Sequence, residues 1–290
     1  MKPPGTAVDS VIQADKDMTE DVSRDPQPAS ASDGLSICIL ASGSKGNSIH
    51  VTDGRTAILI DAGLTGVQIE GRLRSRGVAP HELSAILVSH EHGDHVKGVG
   101  VLSRRYDLPV YANQGTLSRA SGQIGHVHST RPFACGREFT IGTLTIHPFS
   151  ISHDAQDPCG FTVTGNGCKI GIATDLGVVT ALVREHLREC RLLVLEANHD
   201  SDMLQNGPYP WHLKQRIKSR MGHLSNEDAM QLLAELQHER LEQVVLAHLS
   251  DENNTPEKAR ARVGEAIRHA GIQLSVAGQD QCGRIIRLTP

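Results

Sequence analysis

The sequence predicts an α/β domain of mixed sheets with helices on the outside. Three observations carry this. From Leu35 onward, short β-branched runs give way to alternating strands and amphipathic helices. No internal repeat at a fixed period divides the chain. Nearly every chemically informative residue falls at the C-terminal end of a predicted strand, the edge where ligands bind in open α/β sheets. A single domain over residues 34–290 accommodates these features better than two.

Residues 1–33 stand apart. They are rich in Pro, Ser, Ala and Asp, carry seven acids against three basic residues, and read as a disordered tail. The runs LSICILA (35–41), NSIHVT (47–52) and TAILID (56–61), separated by glycine-containing turns, predict a β-meander. SAILVS (84–89), KIGIAT (169–174), RLLVLEA (191–197) and EQVVLAHL (242–249) read as buried strands. TGVQIEGRLRSRG, NEDAMQLLAELQ (226–237) and TPEKARARVGEAIRHAG (255–271) read as amphipathic helices. Ser225 ahead of Asn226-Glu227-Asp228, and Thr255 ahead of Pro256, are their start signals.

Composition narrows the setting. No run of eighteen apolar residues exists, which excludes a spanning helix, and no basic segment followed by an apolar one marks a secretory signal. The six cysteines are scattered with no CxxC pair, the pattern of reduced thiols in a cytoplasmic protein. Net charge is −4, all of it in the tail, so the other 257 residues hold 26 acids and 26 basic residues. A nucleic-acid partner is neither announced nor excluded by that balance, because binding depends on a local patch.

The stretch SHEHGDH (89–95) is the strongest chemical signal. His90 and His92, at i and i+2 on an extended segment, point the same way and can ligate one divalent ion. Gly93 lets the chain bend, which carries Asp94 and His95 round to a second ion. Imidazole with carboxylate suits zinc, or manganese where oxygen ligands dominate. His153, Asp175 and His248 each leave a predicted strand or apolar run and complete a candidate ligand set. HVH (126–128) lacks the trailing Asp-His and is assigned to a surface loop.

Taken in order, Asp61, His90-x-His92-x-Asp94-His95, His153, Asp175 and His248 resemble the metallo-β-lactamase superfamily. The resemblance implies a four-layer αββα sandwich with two divalent metal ions at the edge of its sheets. His90, His92 and His153 would hold one ion, and Asp94, His95 and His248 the other, with Asp175 bridging. Asp61 would hydrogen-bond a ligand imidazole and fix its tautomer. The segments LASGSKGNSIHV, SHEHGDHVKGVGVLSRRY, EANHDSDML, YPWHLKQRIKSRMGHLSNEDA and AHLSDENNTPEKA are similar to the YycJ/WalJ-type branch, which implies a DNA exonuclease or phosphodiesterase. GHLSN (222–226) resembles the corresponding segment of ribonuclease Z enzymes, where a histidine assists phosphodiester cleavage.

On this basis the expected activity is attack of a metal-bridged hydroxide on phosphorus, with DNA ends as substrate. Asp94, His223 and Glu196 are the candidate catalytic residues. His223 would protonate the leaving oxygen, and Glu196 would orient it or act as a plain buried acceptor. Ser44, Lys45 and Asn47 of SGSKGNS (42–48), with Asn198, are candidate substrate contacts, although the loop also reads as a tight hairpin. Asp200 reads equally as a helix N-cap. Lys214, Arg216, Lys218 and Arg220 form either a solvated face or a phosphate track, and Tyr209 and Trp211 either stack on a base or belong to the core. The competing function is hydrolysis of a small thioester, lactam or cyclic nucleotide on the same metals. No membrane partner is expected, and a homodimer stays open.

Overall fold

Two seven-stranded sheets run through residues 34–290, the part of the chain that the computed structural model describes. The expected disordered tail, 1–33, lies outside the described residues. The first sheet takes β1 (Leu35–Ala41), β2 (Ser48–Thr52), β3 (Ala57–Ile60), β4 (Ala85–Leu87), β5 (Pro109–Asn113) and β6 (Ser129–Phe133). The second takes β7 (Phe139–Ile141), β8 (Leu144–Ser150), β9 (Cys159–Gly165), β10 (Cys168–Ala173), β11 (Leu192–Glu196), β12 (Gln243–Ala247) and β13 (Gln273–Val276). The last strand, β14 (Ile286–Leu288), returns to the first sheet beside β1. Both sheets follow one plan. β1–β3 and β7–β10 pair antiparallel, then β3–β6 and β10–β13 run parallel.

Helices α1 (Gly66–Arg74), α2 (Gly93–Val96), α3 (Val99–Tyr106) and α4 (Gln114–Ile124) lie within the first half of the chain. α5 (Ala181–Leu187), α6 (Ser201–Asn206), α7 (Trp211–Lys218), α8 (Asn226–Leu236) and α9 (Pro256–Gly264) lie within the second. The period of two in each strand sorts side chains between layers. In β1, Leu35, Ile37 and Ile39 point between the sheets, while Cys38 and Leu40 meet Ile69 of α1 and Val99 and Leu102 of α3. In β11, Leu192 and Val194 point between the sheets, and Leu193 and Leu195 meet Val183 and Leu187 of α5 and Leu232 and Leu233 of α8. Three apolar cores therefore separate four layers, helices–sheet–sheet–helices, as the sequence resemblance implies. Cutting one of these side chains to Ala costs about 2–5 kcal/mol.

Both start signals are used. Ser225 Oγ accepts from Asp228 N at 3.1 Å while the Asp228 carboxylate accepts from Ser225 N, a reciprocal cap on α8. Thr255 Oγ1 accepts from Lys258 N at 3.2 Å on α9. The helix expected over 255–271 is shorter and ends at Gly264. The next three amides, from Glu265, Ala266 and Ile267, bond three residues back instead of four, which tightens the chain and returns it to β13. The hairpin β7–β8 was absent from the sequence reading. Ile141 pairs with Leu144, so Gly142-Thr143 is a two-residue turn, and Gly142 takes the left-handed φ of 54° that such turns require. No helix among the described residues is long and apolar enough to cross a membrane.

Candidate metal centre

The two sheets direct their functional residues to one edge. Asp61 follows β3, Ser89 to His92 join β4 to α2, Asp94 and His95 lie in α2 itself, and His153 lies between β8 and β9. Asp175 follows β10, Glu196 ends β11, His223 precedes α8, and His248 follows β12. Asp61, Asp175 and His248 have φ of 58°, 57° and 55°. This left-handed conformation costs a non-glycine residue roughly 1–3 kcal/mol and turns the chain sharply as it leaves each strand. The turn at 94–95 is pinned by the first sheet. Asn47 N donates to Asp94 O at 2.7 Å and Ala62 N to His95 O at 2.8 Å. Gly63 makes this approach possible, because a Cβ there would sit 1.6 Å from Asp94 O.

The expected ligands converge in two groups. His90 Nε2 lies 3.1 Å from His92 Nδ1, which lies 3.3 Å from His153 Nε2. Donors held 2.0–2.1 Å from a tetrahedral zinc ion stand about 3.3–3.4 Å apart, so these three imidazoles already have the spacing of a ligand set. In the second group His95 Nε2 lies 3.5 Å from Asp94 Oδ2 and 3.4 Å from Asp175 Oδ2, and His248 Nε2 lies 3.4 Å from Asp175 Oδ1. Asp175 Oδ1 also lies 3.8 Å from His153 Nε2, which places that carboxylate between the groups.

The donor set fits divalent ions. Asp175 Oδ2 and His248 Nε2 are buried and have no hydrogen-bond partner. Unsatisfied buried atoms of this kind are costly, and a cation between them removes the cost. Burial would push the Asp175 carboxyl up, but the imidazoles of His248 and His95 outweigh it and hold the group well below the usual carboxylate range. Burial and the neighbouring His95 push His90 well below the ordinary imidazole value, so it presents a neutral nitrogen.

Around these candidate ligands is a shell of orienting bonds. Asp61 Oδ2 accepts from His95 Nδ1 at 2.8 Å and from Ser89 Oγ at 2.8 Å, and Asp61 Oδ1 accepts from Ser89 N at 2.8 Å. Ser89 Oγ also lies 3.0 Å from His90 Nδ1. Glu196, fully buried, has Oε1 at 2.8 Å from Nδ1 of both His223 and His248, while its Oε2 accepts from Leu176 N and Leu224 N. His223 is set by the turn after α7, where its N–H reaches Ile217 O at 2.9 Å. Gly222 permits this, because a Cβ would meet Ile217 O at 2.1 Å.

The expected substrate contacts do not stay together. Ser44 and Asn198 line a cavity of about 210 Å³ beside His223 and His248. Lys45 instead forms a solvent-exposed pair with Asp251 at 2.6 Å. Asn47 is buried, and its Nδ2 lies 3.2 Å from Asp94 Oδ2 and 3.0 Å from His95 Nε2. Its neighbours are metal-ligand candidates, a placement set by contacts 47 and 48 residues away along the chain. The four basic residues do not share one helix, because α7 ends at Lys218 and Arg220 lies beyond it. Lys214 Nζ donates to Gln205 O and Gly207 O, and Arg216 pairs with Asp154, leaving Lys218 and Arg220 exposed. Asp200 caps α6 by accepting from Met203 N at 2.9 Å, and His126 and His128 lie in the loop before β6, where His128 faces Asp107 at 3.2 Å.

Two residues escaped the sequence reading. Ser89 was the residue directly ahead of the histidine motif. Asp154, directly after His153, has Oδ1 at 3.4 Å from His153 Nε2 and Oδ2 at 2.7 Å from Arg216 Nε.

The sandwich and its edge cluster define the class. Residues 56–249 match the model of the beta-lactamase superfamily domain, and the chain belongs to that superfamily as a metal-dependent hydrolase. Within it, the chain is 38% identical over 246 residues to the exodeoxyribonuclease YycJ of Bacillus anthracis, covering 84% of this chain and 93% of that one. It is 37% identical over 247 residues to the exodeoxyribonuclease WalJ of Streptococcus pneumoniae serotype 2, covering 84% and 92%. The fold is shared with the metallo-β-lactamase fold protein YhfI of Bacillus subtilis, at a TM-score of 0.69, 17% identity and coverage of 87% and 99%. It is shared also with the short form of human tRNase Z, at 0.60, 17%, 88% and 99%.

Proposed function

We propose that this protein is a dinuclear metal-dependent exonuclease that hydrolyses phosphodiester bonds at DNA ends. The observation that carries this reading is the Glu196 carboxylate shared by His223 and His248, which joins one of the expected metal ligands to an imidazole that the resemblance sets apart for proton transfer. The similarity to two exodeoxyribonucleases over 84% of the chain supports DNA as the substrate. A cytoplasmic setting, with its cysteines free, fits such an enzyme.

His90, His92 and His153 would hold one ion, and Asp94, His95 and His248 the other, with Asp175 serving both. The imidazole-rich first group favours zinc, and the carboxylates of the second also accept manganese. Bound ions would supply Lewis acidity, activating water and neutralising charge that builds on a phosphoryl oxygen. The protein's own residues do the rest. Asp61 and Ser89 hold His95 and His90 in the tautomers that present Nε2 to the cleft. Glu196 accepts from Nδ1 of His223, which leaves His223 Nε2 to hold the proton that the departing oxygen takes up.

The test incubates the purified protein, with zinc or manganese, with end-labelled single-stranded DNA beside a chromogenic bis-phosphodiester and a lactam. Release of mononucleotides from the DNA is expected. Hydrolysis of the lactam alone would replace this reading with that of a small-molecule hydrolase.

A further inference from the structure

The cavity beside His223 has a wall that phosphodiester chemistry leaves unused. Tyr209, Leu213, Ile217 and Met221, from α7 and the loops on either side of it, make one face apolar. Ser44, Asn198 and Ser250 add a polar face, and Asp154, Arg216, Gly222, His223 and His248 complete the lining. Its volume of about 210 Å³ is below the roughly 300 Å³ at which pockets for drug-sized ligands begin, so it has room for one ring-sized group and not for a run of nucleotides. Arg216 and Asp154 both line this cavity, and the Arg216 Nε donates to Asp154 Oδ2 at 2.7 Å.

The Tyr209 ring is half-buried and has no aromatic partner among the described residues, unlike Tyr111, which stacks on Phe139 at 5.4 Å. Trp211, two positions on, is 72% exposed and does not line the cavity. The structure thus separates two aromatic residues that look equivalent in the sequence.

We infer that this cavity receives the base of the nucleotide being removed, with Tyr209 as its stacking surface and Leu213, Ile217 and Met221 as its apolar floor. The inference rests on the nuclease reading above and adds to it a nucleobase subsite. Stacking on an aromatic face tolerates any base, because every base has a π-face, and the polar face offers hydroxyl and amide groups without demanding one base pattern. Tyr209 is then a determinant of affinity for the base, separate from the groups that act on the phosphate.

Calorimetric titration of the zinc-loaded protein with deoxyadenosine 5′-monophosphate and with deoxyribose 5-phosphate tests this, because the two ligands differ only by the base. The nucleotide is expected to bind about ten-fold or more tightly, the size of effect that a base–aromatic stack gives. In Tyr209→Ala the two affinities should come within about two-fold, through loss of nucleotide binding, and Tyr209→Phe should restore the difference. Equal affinities in the unmodified protein, or a base preference that survives Tyr209→Ala, would overturn the inference. Hydrolysis of end-labelled DNA by the same preparation separates the two readings. DNA cleaved without a base preference removes the subsite and leaves the nuclease. A base preference lost in Tyr209→Ala, with DNA untouched, keeps the subsite and removes the nuclease.

Discussion

His223 and His248 lean on a single oxygen: Glu196 Oε1 lies 2.8 Å from Nδ1 of each ring. Burial would raise the Glu196 carboxyl, but the two imidazoles outweigh it, His223 most strongly, and its pKa falls to about 2. The group therefore stays charged across the working range of the enzyme and can accept from both rings at once. His223→Ala is expected to lower kcat by about 10²–10⁴-fold, the range for a lost general acid, with metal content unchanged. Glu196→Gln is expected to lower kcat and also to weaken metal binding by about 10–100-fold, because His248 loses its orienting acceptor. Turnover measured beside elemental analysis separates the two. Metal lost from His223→Ala would make that residue a ligand.

Metal removal should also be visible in stability. Asp175 Oδ2 and His248 Nε2 have no partner in the protein, so a cation that binds only the folded chain stabilises it by mass action. At a thousand-fold excess over Kd this is about 4 kcal/mol. For a domain of this size that corresponds to a fall in Tm on the order of 10 °C when a chelator is added, and recovery when zinc is returned. Scanning calorimetry with and without chelator reads it, and an unchanged Tm would argue against a resident ion.

The reach of the sequence can be traced residue by residue. His90 to His95 form a local pattern whose spacing carries its own chemistry, so it is visible without a fold. Asp175 and His248 are single residues after single strands, tied to the motif by their place at strand ends, and Asp61 is tied to it by the resemblance alone. What unites them physically, a left-handed turn at each strand exit, leaves only a weak mark in residue type: Asp and His are enriched in that conformation, yet both are also ordinary loop residues. The strand pattern of β1 and β11 was legible because both faces are buried and β-branched or leucine-rich. β7 and β8 carried a signal in the alternation of FTIGTLTI around Gly142, and it passed unread among shorter cues. Asn47 sits in a glycine-rich loop of the kind that exposes its side chains, yet a chain segment 47 residues downstream covers it.

That covering gives a contrast between neighbours. Asn47→Ala removes the amide next to Asp94 and His95 and is expected to weaken metal binding by about 10–100-fold, with little effect on KM for DNA. Lys45→Ala removes only an exposed pair with Asp251 and should leave metal affinity unchanged. Metal titrations on the two variants check this, and equal losses would mean that the loop acts as one unit.

The basic stretch before His223 divides in the same way. Lys214 Nζ is tied to Gln205 O and Gly207 O at 2.8 Å each, so Lys214→Ala should loosen the seat of α7 without changing the salt dependence of DNA binding. Arg220 is exposed, and Arg220→Ala should reduce the log–log salt slope by about 0.7 on single strands if one phosphate contact is lost. Binding isotherms over a salt series distinguish them, and a reduced slope in Lys214→Ala would reverse the assignment.

Away from the cleft, His50 on β2 sets a pH dependence of its own. It is 4% exposed, its Nε2 has no partner, and burial lowers its pKa from 6.5 to about 4. Above pH 6.5 the ring is neutral in both folded and unfolded chains and contributes no pH dependence. As pH falls from 6.5 toward 4, the unfolded chain takes a proton that the folded chain refuses. Folding stability then declines by up to about 1.4 kcal/mol per pH unit, about 3 kcal/mol across the whole interval. His50→Leu removes this term. All other titratable groups are common to both proteins and cancel in the comparison. The stability of His50→Leu relative to the unmodified protein should therefore rise steadily as urea unfolding is repeated from pH 6.5 down to pH 4.5. Parallel curves over that range would mean that His50 takes up its proton inside the fold as readily as outside it.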